Sequence, residues 1–142
     1  MTAVRPRSTG CPGYTVTRER TPKTAKEARR LAHVALCTWG LDDDAEIAAL
    51  LLSELVTNAV RHACGRSVRI VIDRPATDRF RVAVVDRSPR QLPQLRTLTA
   101  DADDGRGLFL VHELSDQWGC DLLGPGRRPW GKRVWAEVRV SG

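Results

Sequence analysis

The chain has 142 residues, of which 42% are hydrophobic and 28% are charged. These values are typical of a globular domain, and the length allows one hydrophobic core but excludes a second domain. No apolar run approaches the ~20 residues of a membrane span, and the first residues lack the apolar segment of a secretory signal. We therefore expect a single cytoplasmic domain over residues 14–142, preceded by a disordered Pro/Gly/Arg-rich leader at 1–13.

The net charge of +6 is concentrated near the start of the chain. Residues 1–30 carry eight Lys or Arg and two acidic residues, whereas the remaining residues carry 15 of each sign. A basic arm can bind phosphate backbones. However, no aromatic residue is interleaved with these charges as a platform for stacking bases. Nucleic-acid binding is therefore not expected, and the four cysteines, which lack ligand spacing, are predicted to be isolated buried thiols.

Periodicity predicts the elements in chain order. They are a strand from Tyr14 to Arg20, helices from Lys23 to Trp39 and Asp44 to Gly65, strands from Ser67 to Asp73 and Arg79 to Asp86, a loop from Arg87 to Asp104, a short helix from Leu108 to Leu114, and strands at about 117–123 and 133–140. This order predicts an α+β two-layer sandwich: a mixed, mostly antiparallel sheet with helices on one face.

The second helix carries an unusual polar pair. Asp42 to Asp44 offer an N-cap and first-turn carboxylates. At about 100° per residue, Glu54 and Asn58 share one face with Ile47, Leu51 and His62, in the middle of the expected core stripe. A carboxylate at a core position is unfavourable unless it has a hydrogen-bonding or charged partner or serves a function. Either Glu54 and Asn58 form an internal hydrogen bond, or the face borders a polar pocket in which Asn58 binds a hard cation and Glu54 acts as a base.

The long loop and the following glycines form a second candidate feature. Loops of about 18 residues are usually functional. Gly105-Arg106-Gly107 precedes the predicted helix at Leu108, and a helix N-terminus preceded by glycines exposes N–H groups that suit phosphates. By itself this pattern is also typical of an ordinary tight turn.

Three separated segments carry a resemblance to a known family. The segment ELVTNAVRHA (Glu54 to Ala63), the strand ending at Asp86, and GRGLFLV (Gly105 to Val111) resemble, in this order, the three nucleotide-binding boxes of the GHKL ATPases. The resemblance covers about residues 15–140 and implies a Bergerat-type fold. The length of the chain and the sequences of its motifs are most similar to those of the bacterial anti-sigma-factor serine/threonine kinases, which regulate transcription.

The resemblance implies a role for each matching residue. ATP and Mg²⁺ are the implied ligands, with Asn58 holding the metal and Glu54 orienting or deprotonating the attacking hydroxyl. Arg61 and His62 match positions that reach phosphate or ribose, and Asp86 matches the acceptor of the adenine amino group, with Ser88 following it in the same box. The backbone of Gly105, Arg106 and Gly107 would close on the phosphates, with Leu108 beginning the helix behind them. The implied partners are an anti-anti-sigma (STAS-like) protein, a sigma factor, or a second copy of the chain in a homodimer.

Two positions depart from the family pattern. The box that begins at Asp86 normally contains two glycines, whereas here Arg87, Ser88, Pro89 and Arg90 follow. The last strand has Lys132-Arg133 where the family usually has a Thr near the adenine carboxylate. Intact Glu54 favours an enzyme, while the lost glycines favour a non-catalytic module that regulates by binding.

Overall fold

The computed structural model describes residues 5–6, 12–89 and 103–141, with side chains described from residue 12 to 89 and from 108 onward. Within these ranges the chain forms one six-stranded sheet and three α-helices. Their bounds are β1 (Arg5–Pro6), β2 (Gly13–Glu19), α1 (Thr24–Thr38), α2 (Ala45–His62), β3 (Ser67–Ala76), β4 (Arg79–Asp86), α3 (Asp103–Leu114), β5 (Gln117–Leu123) and β6 (Gly131–Arg139). The strand order is β1-β2-β3-β4-β6-β5. None of the helices in the described part of the chain is long and apolar enough to cross a membrane.

The sheet buries one face under the helices. Phe80, Val82 and Val84 of β4 alternate toward this face and are at most 1% exposed, and they join the core with the buried faces of α1 and α2. The predicted α+β two-layer sandwich is therefore confirmed. All described strand pairs are antiparallel, so the described residues do not contain the parallel pair that a mixed sheet would need.

The opposite face of the sheet is covered by charged and aromatic side chains. The guanidinium of Arg81 lies 4.8 Å above the ring of Trp135, and it contacts the Glu137 carboxylate at 3.1 Å. Arg79 contacts the same carboxylate at 3.4 Å, so that Glu137 is only 7% exposed. This division into a dry face and a face covered by charged stems follows from the alternation of Arg with apolar residues in β3 and β4.

The start of α2 differs from its prediction. Asp42 to Asp44 form a short 3-10 turn, and the Asp44 side chain makes no capping hydrogen bond to the helix. Its buried carboxylate instead accepts the backbone N–H of Ser141 at 3.1 Å and the Ser141 hydroxyl at 2.8 Å. Asp44 therefore binds the segment after β6 instead of capping α2. The two donors of Ser141 satisfy a carboxylate that would otherwise be buried without a hydrogen-bond partner.

The observed bounds of α2 and α3 also differ from the predicted ones. Helix α2 ends at His62 because Ala63 is extended, so Gly65, although it has a positive φ of 89°, lies beyond the helix. Helix α3 begins at Asp103, not at Leu108. Its glycines therefore lie within its first turns, where glycine carries a cost in helix propensity.

The leader contributes a short edge strand. Arg5–Pro6 pair antiparallel with Tyr14 and Thr15 of β2, while residues 1–4 and 7–11 lie outside the described residues. The same holds for residues 90–102 of the long loop that was predicted from Arg87 to Asp104.

The cysteines are less buried than expected. Among the described cysteines, Cys37 and Cys64 are exposed and Cys120 is half-buried. The prediction of buried thiols is therefore wrong for Cys37, which lies on the outer side of α1, and for Cys64, which lies just beyond the end of α2.

Candidate functional site

The polar pair on α2 lies outside the buried stripe of the helix. The buried residues of this helix are Ala45, Ala48, Ala49, Leu51, Leu52, Leu55, Val56 and Ala59. Helical geometry places Glu54 about 150° and Asn58 about 110° from the centre of that set, and both side chains are half-buried. The expectation that they lie in the middle of the core stripe is wrong, because alanines, rather than the polar pair, complete the buried face of the helix.

The position of the pair has a chemical consequence. A half-buried carboxylate remains within reach of solvent and of a ligand, while its surroundings still strengthen its electrostatic interactions. His62, one turn beyond Asn58, is half-buried and Arg61 is exposed. These four side chains therefore lie along the edge of α2 and at its C-terminal end. Their predicted roles toward Mg²⁺, phosphate and the attacking hydroxyl stay predictions.

A buried ion pair occupies the end of the sheet. Asp86 is the last residue of β4, and its cross-strand neighbour on β6 is Lys132. The Lys132 Nζ lies 2.9 Å from Asp86 Oδ1, and the two side chains are 3% and 2% exposed. Nζ also donates to the Ser88 carbonyl at 2.7 Å, while the Ser88 N–H donates to the same Asp86 oxygen at 2.8 Å. The ammonium and the carboxylate therefore satisfy each other within a closed hydrogen-bonded ring.

The close approach of β6 to this ring requires a glycine. A Cβ atom placed on Gly131 would lie 2.3 Å from the carbonyl oxygen of Asp86. No ordinary side chain is tolerated at that separation. Gly131 thus allows the strand to pass close enough for the next residue, Lys132, to reach Asp86.

The end of α2 is fastened to the same corner of the sheet. The Cys64 N–H donates to the Ser88 hydroxyl at 2.6 Å. On the other side, the Arg20 guanidinium donates to the carbonyl oxygens of Val60 and Gly65 at 2.7 and 2.8 Å. Because cations stabilise the free carbonyls at a helix C-terminus, Arg20 fixes the turn that carries the predicted phosphate-contacting residues.

The electrostatic influence of the ion pair extends to β5. Burial raises the pKa of the Cys120 thiol, because the thiolate loses hydration. Lys132 opposes this rise in pKa, and the carboxylates of Asp86 and Asp121 add to it. The pKa of the Cys120 thiol therefore depends on both charges of the pair.

The segment predicted to close on the phosphates belongs to helix α3. Gly105, Arg106 and Gly107 lie near the N-terminus of α3, and the Leu108 side chain after them is 4% exposed. Helix α3 packs against α2. The two helices that carry the predicted metal- and phosphate-binding residues are therefore neighbours in the layer that covers the sheet.

A metal ion at this site would be coordinated largely by groups other than protein carboxylates. The described residues contain no group of three or more His, Cys, Asp or Glu side chains that could hold a metal. Mg²⁺ is usually held by one or two protein oxygens together with substrate phosphates and water. One amide oxygen from Asn58, with Glu54 a turn away, fits a Mg²⁺ ion that arrives with a nucleotide.

A two-layer sandwich with an acidic and an amide residue on one helix edge, beside a second helix with glycines in its first turns, is the architecture of a GHKL-type ATPase domain. A family model described as histidine kinase-like ATPase domain matches residues 19–135, and the chain belongs to this family. Membership in it implies ATP binding. No curated protein matches the chain significantly in sequence.

In the sequence, Lys132 stood out only as a departure from the family pattern, and its partner was missed. The signal was available in the alternation of β6, where Lys132 precedes Val134, Ala136 and Val138 at inward positions. Asp86 continues the inward positions of β4 in the same way. A lysine at a core position is almost never fully buried without a partner, so a facing carboxylate could have been sought at the end of a neighbouring strand.

Proposed function

We propose that the chain is a regulatory kinase of the anti-sigma type. It transfers the γ-phosphoryl group of Mg·ATP to a Ser or Thr of an anti-anti-sigma-like partner and binds a sigma factor or a similar regulator. The observation that carries this proposal is the half-buried Glu54–Asn58 edge of α2 in a chain of the histidine kinase-like ATPase family. A half-buried carboxylate is suited to a proton transfer that a fully solvated carboxylate performs poorly.

The proposed reaction assigns distinct tasks to the two residues. The partner's hydroxyl oxygen forms a bond to the γ-phosphorus, the bond to the bridging β–γ oxygen breaks, and ADP leaves. Glu54 takes the proton of the attacking hydroxyl. Asn58 holds Mg²⁺, which neutralises charge on the phosphates. Arg61 and His62, at the same end of α2, contact the phosphates or the ribose.

The test compares two substitutions that separate rate from binding. Glu54→Gln keeps the size of the side chain but cannot accept a proton, so binding of Mg·ATP should persist while phosphoryl transfer falls about 100-fold or more. Asn58→Ala should weaken binding of Mg·ATP as well, because it removes the metal ligand. The measurements are transfer of labelled γ-phosphate to a candidate anti-anti-sigma protein and calorimetric titration with Mg·ATP.

A matched control is available next to Glu54. Ser53 is half-buried on the same helix, and its hydroxyl donates to the Leu50 carbonyl at 3.3 Å, so Ser53→Ala should change neither quantity. If the parent protein binds Mg·ATP but transfers nothing to any candidate, and Glu54→Gln only alters stability, the kinase proposal is wrong. Glu54 would then be the partner in an internal hydrogen bond.

A second function is favoured by the ion pair at the end of the sheet. Asp86 is the residue assigned to the adenine amino group, yet Lys132 already occupies one of its oxygens at 2.9 Å. We infer as the alternative a non-catalytic module that regulates by protein binding. Wild-type transfer activity that depends on Glu54 would exclude this alternative, and a chain without nucleotide affinity would support it.

A further inference from the structure

We infer that Lys132 is a specificity-determining residue, because its ammonium and the Ser88 N–H together occupy one of the two oxygens of Asp86, the carboxylate assigned to the base amino group. The nucleotide site should therefore hold the triphosphate while selecting the base only weakly. This inference rests on the proposed assignment of Asp86 to the base. It concerns base selection only, and it is independent of whether the phosphoryl group is transferred to a protein partner.

Asp86 has little hydrogen-bonding capacity left at Oδ1. A carboxylate oxygen accepts about two hydrogen bonds. Oδ1 of Asp86 already accepts two, from the Lys132 ammonium at 2.9 Å and from the Ser88 N–H at 2.8 Å. Adenine presents one N–H of its amino group to such an acceptor, and an ammonium N–H is the stronger donor because it carries a full charge. At Oδ1, Lys132 therefore competes directly with the base.

Opening the ion pair is unfavourable. The side chains of Lys132 and Asp86 are only 3% and 2% exposed. Displacing the ammonium would leave a buried charge without its counter-ion, which is among the most unfavourable changes in a protein interior. The base amino group is neutral and cannot replace the lost attraction. The closed pair is therefore favoured whether or not a nucleotide is present.

Recognition of the phosphates does not depend on the ion pair. The residues assigned to the phosphates lie on another element, α2, and its end is held by Arg20. Phosphate contacts at Asn58, Arg61 and His62 do not require Asp86 to be accessible. Binding should then depend on the triphosphate and its Mg²⁺, which ATP, GTP and inorganic tripolyphosphate share.

The experiment is calorimetric titration of the full chain with Mg·ATP, Mg·GTP and Mg·tripolyphosphate. The wild-type protein should bind ATP and GTP with affinities within about 3-fold of each other. Lys132→Thr keeps a hydroxyl donor for the carboxylate but removes the ammonium, and it should strengthen ATP binding by about 10-fold, the effect of one added hydrogen bond, with little change for GTP.

The matched control is Arg133→Thr. Arg133 neighbours Lys132 on β6 but projects to the opposite face of the sheet, where it pairs with Asp121 at 2.8 Å at the surface. The substitution removes the same charge without touching Asp86, and it should leave all three affinities unchanged. Circular dichroism would establish that each variant is folded. The wild-type comparison of ATP with GTP tests the inference even if Lys132→Thr does not fold.

The possible outcomes separate the inference from the proposed function. Wild-type protein that prefers ATP over GTP by more than about 10-fold (roughly 1.4 kcal/mol) overturns the inference and leaves the proposed function intact. The inference is likewise overturned if folded Lys132→Thr shows no gain in affinity for ATP. If neither protein binds any of the three ligands, both the inference and the proposed function fail. If only Lys132→Thr binds ATP, the natural chain does not hold the triphosphate, which overturns the inference and supports the alternative, non-catalytic function.

Discussion

The buried Asp86–Lys132 pair provides the sharpest test of how this end of the sheet is held together. At an effective dielectric constant of about 20, two unit charges at the observed 2.9 Å attract by roughly 6 kcal/mol. Much of this attraction offsets the cost of removing both ions from water. Removing one partner leaves that cost unopposed, so Lys132→Met and Asp86→Asn should each lower the free energy of unfolding by about 3–5 kcal/mol.

The double variant should behave differently from either single one. With both charges removed, no uncompensated ion remains, and Asp86→Asn with Lys132→Met should lie within about 2 kcal/mol of the parent. The coupling energy from the double-mutant cycle should then be at least about 4 kcal/mol. The measurement is urea unfolding at neutral pH, followed by circular dichroism, for all four proteins.

A surface pair between β5 and β6 serves as the control. Arg133 and Asp121 are 2.8 Å apart, but their side chains are 34% and 47% exposed. Solvent screening limits such a pair to less than about 1 kcal/mol, so Arg133→Met should change stability little. A coupling energy below about 1 kcal/mol for Asp86 and Lys132 would refute the reasoning, because it would mean that the two groups are hydrated and independent.

Two further predictions concern the surroundings of this corner. Arg20→Met should lower the free energy of unfolding by about 2 kcal/mol and speed amide hydrogen exchange in residues 60–66; unchanged exchange there would mean that Arg20 does not hold the end of α2. With the other cysteines replaced by Ser, Cys120 should be alkylated slowly at neutral pH, because its raised pKa lowers the thiolate fraction. Asp86→Asn should speed this alkylation and Lys132→Met should slow it, and the reverse order would contradict the assigned charges.

The sequence by itself determined the layers of this protein. Apolar residues at every second position of β3, β4 and β6 gave each strand a buried and a charged face, and helical periodicity identified α1 and α2. The spacing of Glu54 and Asn58 by one helical turn also put these two side chains on a common edge without any knowledge of the sheet. These features could be predicted because they depend on neighbours within four residues in the chain, where backbone geometry alone fixes which side chains share a face.

Only the tertiary structure decided how the polar groups are paired. Asp44 was predicted to cap its own helix, yet it binds Ser141, which is 97 residues away in the chain. Asp86 was assigned to a base, yet it meets Lys132 across 46 residues because the register of β4 and β6 places them opposite each other. A buried polar group binds whichever partner the folded chain brings within about 3 Å, and the free energy of that contact depends on burial. Neither the distance nor the burial exists until the layers have packed.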